Sequence, residues 1–133
     1  MNRLKLSVLR KANLLRLPEF KNAKGGLAHS KSDGSDWTPS QWLQAVTGEL
    51  GEYANVRKKY ERGDIDIDEF KIKAAAELAD TVTYIDILAY QLGIDLGKAI
   101  IDKFNIVSER VDCNLRIDEE GDFFYRSTQE KQR

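Results

Sequence analysis

Two long stretches of helical spacing, separated by only a few residues, constrain this chain more than anything else in it. The first opens at Thr38-Pro39, where a capping hydroxyl precedes a proline at the first helical position, and runs over about 39–62 to stop at Gly63. "GDIDIDEF" then makes a turn, with Asp66 or Asp68 available to cap the next helix. That helix runs over about 67–92 and ends at Gly93, a C-terminal glycine cap. Rods this long with so short a link lie antiparallel. The chain reads as all-α.

The flanking text fits a bundle of about four helices. Leu4, Leu6, Val8, Leu9, Leu14, Leu15 and Leu17 predict a first helix ending before Pro18, and "KNAKGGLAHSKSDGSD" reads as a loop. Asp95 caps a fourth helix over about 96–111. Beyond it, "NLRI" and "DFFYR" around "DEEGD" predict a short irregular or hairpin tail. The expectation is one antiparallel helical domain over 1–133, with its core in 37–111 and a tail in 112–133; 133 residues suffice for one real core. The third helix is apolar on more than one face, through Ile72, Ala74, Val82, Ile85, Leu88 and Ala89. An isolated four-helix domain would leave part of that surface in water, so a homodimer or homotetramer is expected.

Composition narrows the partners. A net charge of −1 argues against a binder of nucleic acid polymers, which would carry a strongly basic face. The single cysteine, Cys113, can form no internal disulfide, and a reducing interior is the default. The basic, apolar N-terminus is interrupted throughout by Lys and Arg, unlike a signal peptide. No stretch approaches the roughly 20 apolar residues needed to span a membrane. A cytoplasmic protein with no membrane partner is the expectation.

Into the buried stripes of the two long helices the sequence puts acids. Glu49 and Glu52 lie one turn apart, and so do Glu77 and Asp80. In an antiparallel hairpin, residues that face each other share one midpoint in the numbering. Glu49 with Asp80 and Glu52 with Glu77 share a midpoint between Asp64 and Ile65, inside the turn. The fold should therefore bring all four carboxylates to one level. Two like charges 4 Å apart repel by about 4 kcal/mol at an effective dielectric near 20. Such a cluster survives by binding protons or a cation. Oxygen-only ligands select a hard ion, and Mg²⁺, with Mn²⁺ as a substitute, suits one that keeps waters and shares phosphate oxygens. Di-iron bundles need Glu-x-x-His pairs, and the only histidine here is His29, in the early loop.

Glu49-Leu-Gly-Glu52, a 24-residue gap and Glu77-Leu-Ala-Asp80 resemble the ExxE…ExxD signature of the all-α nucleoside triphosphate pyrophosphohydrolases, in their MazG-like branch. "WLQAVTGELGEYANVRKKYERGD", "ELADTVTYIDILAYQLGIDLGKAI" and "DKFNIVSERV" extend the likeness over about 37–111, and "NLLRLPEF" adds to it. The resemblance implies hydrolysis of a (d)NTP between its α and β phosphates, giving (d)NMP and pyrophosphate, in nucleotide-pool housekeeping. It also implies a dimeric or tetrameric bundle with magnesium on Glu49, Glu52, Glu77 and Asp80, of which Glu49 or Glu52 instead orients the attacking water. The alternatives are a related pyrophosphohydrolase acting on phosphoribosyl-ATP or an alarmone, and a non-catalytic nucleotide-binding bundle.

A triphosphate also needs cations. Lys58 and Lys59 lie six and seven residues beyond Glu52, and the family's "N-x-x-K-K" pattern matches Asn55 through Lys59. Lys103 and Asn105, in "DKFN", match a recurrent pair in the last helix. Trp42, two turns before Glu49, either stacks a base or anchors the core. Trp37 has the position of a hydrophobic staple. Asn13, Arg16, Phe20 and His29 are candidates for a nucleotide lid, although an ordinary loop role is the simpler one for His29. Lys73 is placed to pair with Glu77, and Asp86, 240° around the helix from Asp80, reads as structural or interfacial rather than a fifth ligand.

Overall fold

A computed structural model describes residues 3–127. It is mostly helical, with helices α1 (Leu6–Arg16), α2 (Pro39–Glu61), α3 (Ile67–Gln91) and α4 (Leu96–Arg110). A 3₁₀ turn at Leu17–Glu19 follows α1, and two short strands, β1 (Leu115–Ile117) and β2 (Phe123–Tyr125), form an antiparallel hairpin. No described helix is long and apolar enough to cross a membrane. The chain divides into two compact units, Met1–Gly93 and Ile94–Arg133.

In the first unit the helix ends form where the polar signals stand. The Thr38 hydroxyl accepts from the Gln41 N–H at 3.3 Å and the Gln41 side chain accepts from the Thr38 N–H at 2.8 Å, a reciprocal cap at the start of α2. Asp66 accepts from the Glu69 N–H at 2.8 Å and starts α3. Gly63 closes α2 at φ +81°, a conformation that side chains resist.

The α2–α3 hairpin meets along a seam. The inward residues of α2 are Trp42, Val46, Glu49, Tyr53, Val56 and Tyr60, spaced alternately by four and three. Those of α3 are Phe70, Ala74, Glu77, Thr81, Tyr84 and Leu88, with the same spacing. This is the period at which one helical face keeps meeting a partner. Lys73 pairs with Glu69 at 2.7 Å rather than with Glu77, one turn toward the helix start instead of one turn beyond.

The core lies beyond the seam's open end, where Leu17, Trp42 and Ile87 are buried and Leu14, Phe20, Trp37, Tyr84 and Leu88 pack on them. Trp42 has no solvent exposure, and its Nε1–H donates to the Gly34 carbonyl at 3.0 Å. Gly34 lies against the Trp42 ring at φ +70°, a backbone conformation that favours glycine, and so lets the loop before α2 close over the indole. Helix α1 is held to α3 by Asp86, 1% exposed, which accepts from Arg10 Nε at 2.9 Å and Asn13 Nδ2 at 3.0 Å. Asp86 has the structural place its helical angle suggested.

In the second unit Asp95 caps α4 by accepting from the Lys98 N–H at 3.0 Å. The hairpin pairs Leu115 with Tyr125 and Ile117 with Phe123. The Asn105 side chain fastens β1 to α4, donating to the Ile117 carbonyl at 2.8 Å and accepting from the Ile117 N–H at 2.9 Å. Expected as a substrate contact, Asn105 is a structural amide engaged at both ends.

Candidate metal centre and adjoining cavity

Glu49, Glu77 and Asp80 each place a carboxylate oxygen within 4.8 Å of the others, the one group of this kind among the described residues. Glu49 and Glu77 occupy seam positions, while Asp80 stands beside the seam, one residue before buried Thr81. The fourth expected acid is placed differently. Glu52 is exposed and outside the trio. Three residues along a helix turn 300°, so Glu52 is 60° out of line with Glu49, which carries it from the seam to the flank. It also precedes a seam residue by one, Tyr53, as Asp80 precedes Thr81, which in an antiparallel pair puts both on the same flank.

The electrostatics match this crowding. Burial pushes the Glu49 carboxyl above the usual glutamate range, and a hydrogen bond with Glu77 and the charges of Asp80, Glu77 and Glu52 push it further. Without a cation, a proton is what eases the group. Octahedral magnesium holds oxygens at about 2.1 Å, which asks neighbouring donors to be roughly 3–4 Å apart, and three carboxylates within 4.8 Å reach that spacing by small side-chain adjustments. The donor set is all oxygen, the geometry is compact, and the residues fit a hard divalent ion.

Asp80 also lines a cavity of about 280 Å³. Its other walls come from α1 (Asn13, Arg16), the following turn (Leu17, Phe20), the loop (His29) and α3 (Thr83, Tyr84, Ile87). The Tyr84 hydroxyl is raised above its usual range first by burial, then by the charges of Glu49 and Asp80, with Arg16 opposing. Tyr84 and Arg16 thus share one electrostatic neighbourhood with the acids. The His29 ring lies 4.8 Å from Phe20 and 4.5 Å from Trp37, with its edge toward Trp42 at 5.7 Å. Burial lowers its pKa, more than the charge of Asp36 raises it, which favours the neutral imidazole. Its Nε2 is buried with no hydrogen-bond partner among the described residues. His29 therefore belongs to the cavity wall, not to an indifferent loop.

The remaining expected contacts spread out. Trp42 cannot present a face to a base: it is wholly buried, because a residue seven before a seam glutamate is itself on the seam. Asn55, Lys58 and Lys59 are exposed on α2 toward the turn, and Lys59 is about 15 Å along the helix from Glu49. The cavity lies on the other side of the acids, since Thr83, Tyr84 and Ile87 follow Asp80 away from the turn. Lys103 is exposed on α4 of the second unit. Arg16 and Tyr84 share the cavity wall with Asp80, and spacing on α2 and α3 could not single them out, because α1 brings one and the other reads as an apolar seam residue.

The chain matches no family model, and comparisons with curated proteins and with solved structures gave no significant match.

Proposed function

We infer that the protein is a magnesium-dependent nucleoside triphosphate pyrophosphohydrolase, of the all-α, MazG-like kind that its acidic motifs resemble. The observation that carries this reading is the trio Glu49, Glu77 and Asp80, joined through Asp80 to a cavity large enough for a nucleobase. The axial order along the hairpin supports it: cavity, carboxylates, then the exposed lysines. A nucleotide laid along that line has its base beside Phe20 and His29, its inner phosphates at the acids and its outer phosphates toward Lys58 and Lys59.

In this reading Glu49, Glu77 and Asp80 hold the magnesium, which neutralises phosphate charge and makes water a better nucleophile near neutral pH. Glu52, outside the trio, is free to orient the attacking water and accept its proton. Water adds at one phosphorus of the α–β anhydride, the bridging P–O bond breaks, and monophosphate and pyrophosphate leave. Arg16 and the turn lysines offset the charge of the phosphate chain. A second copy of the chain would cover exposed Leu43, Leu50, Leu78 and Val82 of the hairpin.

Assay of pyrophosphate release across canonical and damaged nucleoside triphosphates, with and without magnesium, tests the proposal. Orthophosphate as the sole product, or no product with any nucleotide, would refute it.

A further inference from the structure

Asn13 is 3% exposed, lines the cavity, and makes two side-chain hydrogen bonds, both from Nδ2. One goes to Asp86 Oδ2 at 3.0 Å and the other to the Thr83 carbonyl at 3.4 Å. A backbone carbonyl can only accept, and so can an ionised carboxylate, so the amide has one orientation. Oδ1 is left without a partner among the described residues. Asn13 and His29 both line the cavity, so this acceptor belongs to a residue of its wall. The Thr83 hydroxyl does not answer it, since it donates back to the Ala79 carbonyl at 3.0 Å. An acceptor without a protein donor bonds to water or to a ligand that brings a donor, and a ligand that displaces the water without replacing its bond loses affinity.

We propose that Asn13 Oδ1 selects nucleotides whose base carries an exocyclic amino group, and that Asp86 is the positioning residue that locks Asn13 in the selecting orientation. The inference rests on the nucleotide reading above and deepens it. An amino group offers a hydrogen to Asn13 Oδ1. An oxo group at the same place sets acceptor against acceptor. Cytosine and adenine fit; their oxo counterparts, uracil and hypoxanthine, do not. Arg10 Nε donates to the other carboxylate oxygen of Asp86 at 2.9 Å, which fixes the carboxylate that Asn13 Nδ2 meets.

Two matched pairs test this, CTP against UTP and ATP against ITP, by KM for pyrophosphate release, alongside calorimetric binding of CMP and UMP with magnesium. The amino member of each pair should show a KM or Kd about tenfold lower, the worth of one good hydrogen bond against an unpaired group. Asp86→Asn gives Asn13 a partner that can also donate, so its amide can flip, and the ratio should fall toward one or reverse. Asn13→Ser, which removes the carbonyl, should abolish the preference, with circular dichroism confirming that both variants fold. Equal KM and Kd within each pair for the wild type overturns the inference while leaving the hydrolase reading intact. A tenfold binding preference without any turnover keeps the inference and sinks the hydrolase. An Asp86→Asn variant that weakens both members equally, with the ratio unchanged, overturns the positioning role.

Discussion

Tyr60 near the end of α2 stacks on Phe70 near the start of α3, ring centroids 4.8 Å apart and planes 21° from parallel. This contact pins the hairpin's register about Ile65. Counting back from it along both helices sets Glu49 level with Thr81, one residue beyond Asp80 and one turn beyond Glu77. The acidic trio is thus a consequence of an aromatic pair about three turns of helix away. Slippage by one residue would rotate each helix by 100° and take Glu49 off the seam.

Removing either α3 acid should cost the ion. Glu77→Gln and Asp80→Asn are expected to weaken Mn²⁺ binding and lower turnover by more than about 100-fold, since loss of even an outer-sphere partner costs 10–100-fold. Both variants should melt no lower than the wild type without metal, because each relieves repulsion. Calorimetric Mn²⁺ titration and thermal melting check the two halves separately.

The raised Glu49 carboxyl gives the apo protein a defined pH dependence. Its ordinary value is 4.5, and the folded chain holds the proton more tightly than the unfolded chain does. The associated stability is fully present below that value and is lost as pH rises through the higher folded value. Relative to Glu49→Gln, the metal-free wild type should therefore lose stability over this window, and millimolar magnesium should restore it above the window. Urea midpoints for both proteins at several pH values, with and without magnesium, measure this. Parallel pH curves would count against the half-buried acid pair.

Arg16 and Lys59 should separate by where they touch substrate. Arg16→Ala, in the cavity wall that Asp80 and Tyr84 also line, is expected on the proposed hydrolase reading to raise KM and lower kcat together. Lys59→Ala, about 15 Å along the helix from Glu49, should raise KM with kcat nearly unchanged. Steady-state kinetics on one triphosphate distinguishes them.

Trp42 should behave as a core residue. Trp42→Ala is expected to destabilise the fold by about 3–5 kcal/mol, the range for emptying a large buried aromatic site. Thr38→Ala, which removes only the α2 cap, should cost about 1 kcal/mol. Urea unfolding followed by far-ultraviolet circular dichroism reads both.

What the sequence made legible was whatever repeats along a helix. Thr38-Pro39, Gly63, Asp66, Gly93 and Asp95 mark helix ends through local chemistry, so α2, α3 and α4 begin and stop within a residue or so of expectation. The midpoint between Asp64 and Ile65 differs by half a residue from the register that Tyr60 and Phe70 set. Midpoint counting places residues level but says nothing of their angle, which is why Glu52 was grouped with three acids whose trio it stands beside. Trp42 shows the same limit in reverse, since sharing Glu49's face meant sharing the interior. The lid candidates Asn13, Arg16, Phe20 and His29 all line the cavity, but its place beside Asp80 was not legible: they come from α1, the turn after it and an irregular loop, and packing across Asp86 and the aromatic stack gathers them there.

Asp80 has one foot in the acidic trio and the other in the cavity. Two occupants touching one side chain cannot be indifferent to each other: if the ion steadies that carboxylate for an incoming guest, the guest tightens the hold on the ion by the same factor. Under scarce magnesium, the loaded fraction would then follow the supply of nucleotide as much as that of the metal.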